Sequence, residues 1–190
     1  MRVELIVGPM FSGKSTELQR RLRRHALAGR RVLAATSRKD TRYAEGADVA
    51  AALCTHDRAR MPAVAVDRLG EVVEAWRESR PNVVGVDEVQ FLPDAADALR
   101  ALLRDGPDGE CPDVLVLAGL DGDSDQLPFE HVCALLPLCD DVLKLRAVCP
   151  LCGEDAPFSV RLRGLRGPRE LVGGADAYRA SCRICLSTLG

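Results

Sequence analysis

The sequence VELIVGPMFSGKST, residues 3–16, decides the fold because it joins a strand pattern directly to a glycine loop and a helix. Residues 3–7 are mostly apolar and β-branched, which is typical of a buried strand. The stretch from Gly8 to Ser15 has the spacing G-x-x-x-x-G-K-S, the pattern of a P-loop, whose backbone N–H groups and helix N-terminus bind phosphate. Helix-forming residues continue to about residue 28 and stop at Gly29. The segment therefore predicts a strand, a phosphate-binding loop and a helix.

Strand and helix patterns keep alternating along the next 120 residues. Such alternation predicts a parallel sheet covered by helices, the α/β class. From Cys149 onward the pattern changes to short segments rich in Gly and Arg, so we expect two domains, 1–146 and 147–190. The predicted strands are 31–36, 83–86, 114–118 and 141–145, and the predicted helices are 67–79, 94–104 and 129–136.

Composition narrows the class of partner. A chain of 190 residues fits one domain of ordinary size with a small appendage. Its 26 basic and 28 acidic residues give a net charge of -2. A nucleic-acid-binding protein usually carries an excess of positive charge, so the composition favours a small-molecule partner. The sequence contains no apolar run long enough for a membrane span and no signal-peptide pattern at its start, so we expect a cytoplasmic protein without a membrane partner.

The P-loop predicts a site for ATP and magnesium. Lys14 is expected to neutralise the β- and γ-phosphate oxygens, and the Ser15 hydroxyl is expected to bind magnesium. The strand at 83–86 delivers Asp87, a second magnesium residue acting through water, and Glu88, which is placed to accept a proton from an attacking hydroxyl. An acidic pair at a strand end is usually only solvated, and it is the P-loop that favours function here. The predicted nucleotide-binding set is Gly8, Pro9, Met10, Phe11, Ser12, Gly13, Lys14, Ser15, Thr16, Asp87 and Gln90.

Four of the eight cysteines form two Cys-x-x-Cys pairs, Cys149 with Cys152 and Cys182 with Cys185. Four thiolates at this spacing suit a tetrahedral zinc, and because protein fills every position the zinc is predicted to be structural. A redox role is the rival, but two pairs outside a βαβ context disfavour it. The segment between the pairs is predicted to form a loop that zinc holds at its base and that closes over a substrate.

Further strings extend these motifs over nearly the whole chain: KDTRY at 39–43, CTHDR at 54–58, DEVQF at 87–91, GLDGD at 119–123 and GGADAY at 173–178. Together with the P-loop and the cysteine pairs, they make the sequence resemble the zinc-containing type II thymidine kinases. The resemblance implies a RecA-like P-loop domain and a zinc-binding domain with a lasso loop between the cysteine pairs. It also implies a homotetramer that transfers the γ-phosphate of ATP to the 5′-hydroxyl of thymidine or deoxyuridine, with thymidine triphosphate as feedback inhibitor.

The same resemblance assigns roles to individual residues. Glu88 matches the catalytic base, and Asp40 and Arg42 match a string near the reacting phosphate, where Arg42 would steady developing charge. Ser124 stands where the family has an aromatic residue against the base, so the pocket is expected to accept other pyrimidines. Phe129 is the expected substitute wall, or otherwise a core residue. The implied nucleoside-binding set is Phe91, Leu120, Phe129, Ser159, Arg169, Leu171, Val172, Gly173 and Tyr178.

A second hypothesis stays open on the residues alone. A P-loop ATPase switch would also bind ATP, and its zinc module would then be a face that binds a protein or nucleic-acid partner. The near-neutral charge argues against nucleic acid. The two hypotheses differ in one observable property: a kinase consumes ATP only when a nucleoside acceptor is present.

Overall fold

The computed structural model describes residues 1–40, 52–54, 60–105, 111–162 and 172–187. Strands and helices alternate through the first three quarters of the chain, and short strands follow. In chain order the elements are β1 (Arg2–Val7), α1 (Lys14–Leu27), β2 (Val32–Ser37), β3 (Ala52–Cys54), β4 (Arg60–Pro62), β5 (Val64–Val66), α2 (Leu69–Ser79), β6 (Val83–Asp87), a 3-10 turn (Val89–Phe91), α3 (Ala95–Asp105), β7 (Val114–Gly119), α4 (Glu130–Cys133), a second 3-10 turn (Leu136–Leu138), β8 (Asp141–Lys144), β9 (Ala147–Val148), β10 (Asp155–Ala156), β11 (Phe158–Arg161), β12 (Tyr178–Ser181) and α5 (Arg183–Ser187).

Six parallel strands form the central sheet in the order β5-β2-β6-β7-β1-β8. This confirms the predicted α/β class. Strand β7 lies between β1 and β6, so the carboxyl ends of β1 and β6 are at the same edge with one strand between them. The P-loop follows β1 and the acidic pair is at the end of β6, and the topology therefore brings both motifs to one edge of the sheet.

Side chains on the two faces of the sheet form separate cores. Successive residues of a strand point to opposite faces, so Leu5 packs with α2 and α3 on one face and Ile6 packs with α1 on the other. Leu18 and Leu22, four residues apart on α1, are fully buried against the second face. Gly85 permits this close approach, because a Cβ there would lie 2.5 Å from Leu22 Cδ1.

The sequence-based assignment needs correction at one helix and at three short strands. The helix predicted at 129–136 is the short α4 followed by the 3-10 turn Leu136–Leu138, which carries a proline. Proline cannot donate the next helical hydrogen bond, so a continuous helix fails there. Strand β5 and the antiparallel pair β3–β4 were not predicted, since each strand has only three residues and offers too little periodicity.

Two small antiparallel sheets follow the central sheet, β9 with β10 and β11 with β12. Their core contains Ala147, Ala156 and Ala180 together with the first cysteine of each pair, and the P-loop residue Phe11 packs against it. The division at residue 147 remains a prediction. Among the described residues, no helix combines the length and the apolar character needed to cross a membrane.

Candidate active site

The P-loop has the backbone that its glycines allow. Gly8 and Gly13 have φ angles of +146° and +84°. A Cβ on Gly8 would lie 2.6 Å from the Leu145 carbonyl oxygen, so that position accepts only glycine. The ammonium group of Lys14 donates a hydrogen bond of 2.7 Å to the carbonyl of Pro9 and lies buried within the loop. The loop is therefore compact, and a hydrogen bond within it holds the Lys14 ammonium in place.

The first residues of α1 meet the end of β6. Hydrogen bonding by the Ser15 hydroxyl and the positive charge of Lys14 both act to lower the pKa of the Asp87 carboxylate, which places both groups beside it. Burial, and then the adjacent charge of Glu88, raise the pKa of Asp87 to about 7. A hydroxyl and a carboxylate at the same edge of the sheet are a donor set that suits magnesium. Thr16, the last residue of the predicted nucleotide-binding set on this helix, is exposed.

Glu88 is buried with a left-handed backbone, φ +56°. A residue other than glycine pays about 1–3 kcal/mol for a sparsely populated conformation of this kind, and such residues cluster at functional sites. Its own N–H donates to Asp87 Oδ1 at 3.0 Å, and its carboxylate accepts a hydrogen bond from the side-chain amide of Gln90. The acidic pair is therefore fixed by contacts within the protein and is not a solvated strand end.

Gln90, a member of the predicted nucleotide-binding set, donates a hydrogen bond from one end of its amide to Glu88. The other end of its amide, Oε1, accepts the backbone N–H of Leu120 at 3.0 Å. The ring Nε2 of His131 is 2.8 Å from the Gln90 carbonyl oxygen. No spacing in the sequence relates these positions, since 30 or more residues separate Gln90 from each partner.

The end of the lasso loop packs on the P-loop. Met10, Ala177 and Tyr178 form a buried cluster that Phe11 and Leu120 also touch. The Ser159 hydroxyl accepts the N–H of Met10 at 2.9 Å, so this predicted pocket residue bonds the phosphate loop directly. The phenol oxygen of Tyr178 is 3.5 Å from an Arg161 guanidinium nitrogen, a contact the sequence did not suggest.

Gly173 packs closely against a residue of its own chain, and its contact with a nucleoside remains a prediction. A Cβ at this position would lie 2.6 Å from the Ala177 Cβ, so glycine is needed for the turn that leads into β12. Val172 beside it is partly buried. Of the other predicted residues, Asp40 is partly buried, whereas Arg42, Arg169 and Leu171 lie outside the described residues.

The predicted aromatic walls lie in two environments. The ring of Phe91 is nearly buried, and the ammonium of Lys39 lies 5.8 Å from its centroid. Phe129 packs in the main core, whereas Leu120 is partly buried at the edge of that core and also touches the Met10 cluster. Phe129 thus occupies the core position that was its alternative assignment, and a contact between Phe129 and a base remains a prediction.

Ser124 lies in a tight loop organised by the buried side chain of Asp123. One Asp123 carboxylate oxygen accepts the N–H groups of Asp125 and Leu127, each at 2.9 Å. Ser124 itself is partly buried. Hydrogen bonds from backbone N–H groups to the Asp123 carboxylate therefore hold the loop, and they do not depend on an aromatic ring at residue 124.

The four cysteines of the two pairs come together as predicted. The Sγ atoms of Cys149, Cys152, Cys182 and Cys185 all lie within 4.8 Å of one another. A tetrahedral zinc with bonds of about 2.3 Å places sulfurs about 3.8 Å apart, so the residues fit the metal. Backbone N–H groups of Cys182, and then of Leu151 and Cys152, lower the pKa of Cys149 to about 6, which favours the thiolate that binds metal. Hydrogen bonding with the Cys182 thiol raises the pKa of Cys185 to about 12, and a bound cation would reverse this.

Comparison with known proteins gives one consistent result. The thymidine kinase family model matches residues 1–186. The thymidine kinase of Monkeypox virus is 39% identical over 183 residues, which cover 96% of this chain and 95% of the relative. The cytosolic thymidine kinase of Homo sapiens is 39% identical over 184 residues, covering 97% of this chain and 72% of the relative. The thymidine kinase of Variola virus is 38% identical over 183 residues.

Proposed function

The chain belongs to the thymidine kinase family, and we propose that Lys14, Ser15, Asp87 and Glu88 carry out its reaction. The resemblance seen in the sequence is confirmed. The protein is an ATP-dependent deoxynucleoside kinase that forms the 5′-monophosphate of thymidine in nucleotide salvage. The observation that carries our assignment of residues is that the parallel strands β1, β7 and β6 bring the P-loop and Asp87 to one sheet edge, where Ser15 and Lys14 both act on the Asp87 carboxylate.

The P-loop supplies binding and positioning in this proposal. Backbone N–H groups from Gly8 to Ser15 surround the β-phosphate, and Lys14 places its charge against the β- and γ-phosphate oxygens. Magnesium, held by Ser15 and by Asp87 through water, would offset the negative charge on those oxygens. Most of the rate enhancement in phosphoryl transfer comes from such positioning and charge.

Glu88 acts as the general base. Its carboxylate takes the proton of the nucleoside 5′-hydroxyl while the hydroxyl oxygen forms a bond to the γ-phosphorus. The bond from that phosphorus to the β–γ bridging oxygen breaks, and ADP leaves with the electron pair. Arg42 steadies the charge on the transferred group.

The nucleoside binds between the strand ends and the lasso loop. Its base packs on Phe91, Leu120 and Phe129 beside Ser159, and the loop residues Arg169, Leu171, Val172 and Gly173 cover its edge through backbone groups. Tyr178 packs beside the sugar. The buried contact of Tyr178 with Met10 supports this proposal, because it brings the end of the loop against the phosphate site.

The assay that tests this function compares four acceptors. ATP consumption is expected only when a nucleoside is added, with thymidine and deoxyuridine phosphorylated, deoxycytidine phosphorylated more slowly, and a purine nucleoside not at all. Because Ser124 leaves its own side of the pocket without an aromatic ring, Ser124→Phe is expected to raise the preference for thymidine over deoxycytidine about 10-fold, the discrimination available from one apolar contact. ATP hydrolysis without an acceptor would instead favour the ATPase switch.

Regulation and assembly are part of the same proposal. Thymidine triphosphate is expected to inhibit by placing its base in the nucleoside pocket and its phosphates towards the P-loop. Thymidine should therefore relieve the inhibition competitively, and inhibition that saturating thymidine leaves unchanged would contradict this mode.

We also propose a homotetramer in the cytoplasm, to be checked by its mass in sedimentation and by cell fractionation.

A further inference from the structure

The side-chain amide of Gln90 is used at both ends. Its Nε2 donates to Glu88 Oε2, and its Oε1 accepts the N–H of Leu120 at 3.0 Å. The residue is 1% exposed, so neither bond competes with bulk water. One buried amide thus joins the residue proposed as the base to the first residue after β7.

The last residue of β7 is Gly119, and its lack of a side chain leaves room for the Gln90 amide. A Cβ on Gly119 would lie 2.8 Å from Gln90 Oε1 and 2.7 Å from Val89 Cγ2. A side chain at Gly119 would therefore push the 3-10 turn off the strand. The His131 ring, 2.8 Å from the Gln90 carbonyl oxygen, holds the same turn from the side of α4. The amide consequently sits in a place that three separate elements define.

We propose that Gln90 is a positioning residue that fixes the orientation of the Glu88 carboxylate and ties it to the nucleoside pocket. A carboxylate rotates readily about its last side-chain bond, and a hydrogen bond to one oxygen removes that freedom. The proton-accepting atom then keeps one position relative to the acceptor hydroxyl, and small misplacements there are costly. The Leu120 N–H fixes the far end of the amide beside the pocket. This inference rests on the proposed role of Glu88, and the nucleotide-binding role of Gln90 stays a separate prediction.

The experiment is a double-mutant cycle with Gln90→Leu and Glu88→Gln. Gln90→Leu removes both hydrogen bonds at similar size, and we expect kcat to fall about 10- to 100-fold while KM for ATP changes less than about twofold. Added to Glu88→Gln, it is expected to lower kcat by no more than about a further twofold, because residues that act as one unit are not additive. Gln90→Asn keeps a buried amide but is one methylene too short to reach both partners, so it should also lower kcat.

Gln19→Leu is the matched control. Gln19 is equally buried and its amide is also bonded at both ends, to the Leu53 carbonyl at 2.9 Å and to Arg23 at 3.0 Å. This control is expected to lose stability but to keep kcat within about twofold, since it touches neither proposed site.

Each outcome of the cycle has a defined meaning. A Gln90→Leu effect that multiplies with that of Glu88→Gln, or that appears in KM for ATP, overturns the positioning role while the base assignment stands. Wild-type kcat in Gln90→Asn also overturns it. Full turnover in Glu88→Gln removes the base, and the positioning role falls with it. An effect confined to kcat and absent from the Glu88→Gln background supports the proposal.

Discussion

Glu88→Gln is expected to lower kcat about 100-fold or more, the range that a general base contributes. The substitution removes the proton acceptor but keeps the length of the side chain, and the new carbonyl oxygen still accepts the amide of Gln90. The P-loop and Asp87 are untouched, so ATP should bind with unchanged affinity. The measurement is kcat with saturating thymidine and ATP, together with the binding of a fluorescent ATP analogue in the absence of nucleoside.

Glu130→Gln provides the matched control for that change. Glu130 is exposed at the start of α4 and loses the same charge in the same substitution. Its kcat should stay at the wild-type value, and its melting temperature should differ little from that of the parent protein. If Glu88→Gln turned over as fast as this control, another group or water would have to take the proton, and Glu88 would not be the general base.

The main features of the fold were predictable because they rest on local patterns. In the P-loop, Gly8 and Gly13 adopt the positive φ angles that the loop conformation needs, so the motif itself predicts the backbone. The apolar run at 83–86 likewise predicts a buried strand without any knowledge of its neighbours in the sheet. Strand order is different, because it depends on which runs pair in space. No feature of the sequence near residues 83–86 indicates that β7 lies between β6 and β1.

The candidate site divides in the same way. Lys14, Ser15, Asp87 and Glu88 belong to motifs, and the structure brings them to one edge of the sheet as the motifs indicate. The supports of these residues come from distant parts of the chain: Ser159 bonds the P-loop from 149 residues away. Such contacts depend on tertiary packing, which produces no periodicity or residue spacing in the sequence from which they could be predicted.

Phe129 shows why an aromatic residue in a predicted pocket loop is ambiguous. Burial in the main core and contact with a ligand both favour a large apolar side chain, and the sequence pattern is the same for each. Its ring packs with Val132 and Leu135 in the core, 6.3 Å from the ring of His131. Only the position of the loop distinguishes the two roles, and the Asp123 carboxylate holds that loop through contacts that the string GLDGD did not indicate.

Loss of zinc is expected to have the second large effect. Cys182→Ser removes a buried ligand, and the remaining three thiols cannot complete the tetrahedron. Structural zinc supplies about 10–16 kcal/mol of binding energy in zinc-finger peptides, more than a module of short strands gains from its own core. We expect the variant to lack zinc, to be cleaved by protease between the cysteine pairs, and to lose at least about 10-fold in kcat/KM for thymidine.

Cys139→Ser is the control for this experiment. Cys139 bonds the Leu135 carbonyl, burial raises its pKa to about 11, and it lies outside the cysteine cluster. The control is expected to keep one zinc per chain and full activity. Wild-type kcat/KM in a zinc-free Cys182→Ser protein would contradict the lid proposal, and a full equivalent of zinc in that variant would contradict the assignment of its ligands.

The activity loss should follow from contacts that join the zinc module to the phosphate site. Ser159 accepts the Met10 N–H, Phe11 packs on the core beside Cys149 and Cys182, and Tyr178 closes on Met10. If the module unfolds, the P-loop loses its partners on that side and the nucleoside loses its cover. KM for thymidine is therefore expected to rise more than KM for ATP, because Lys14 and Ser15 belong to α1 and Asp87 belongs to β6, and both elements lie outside the zinc module. Equal changes in both would instead indicate that the P-loop itself had collapsed.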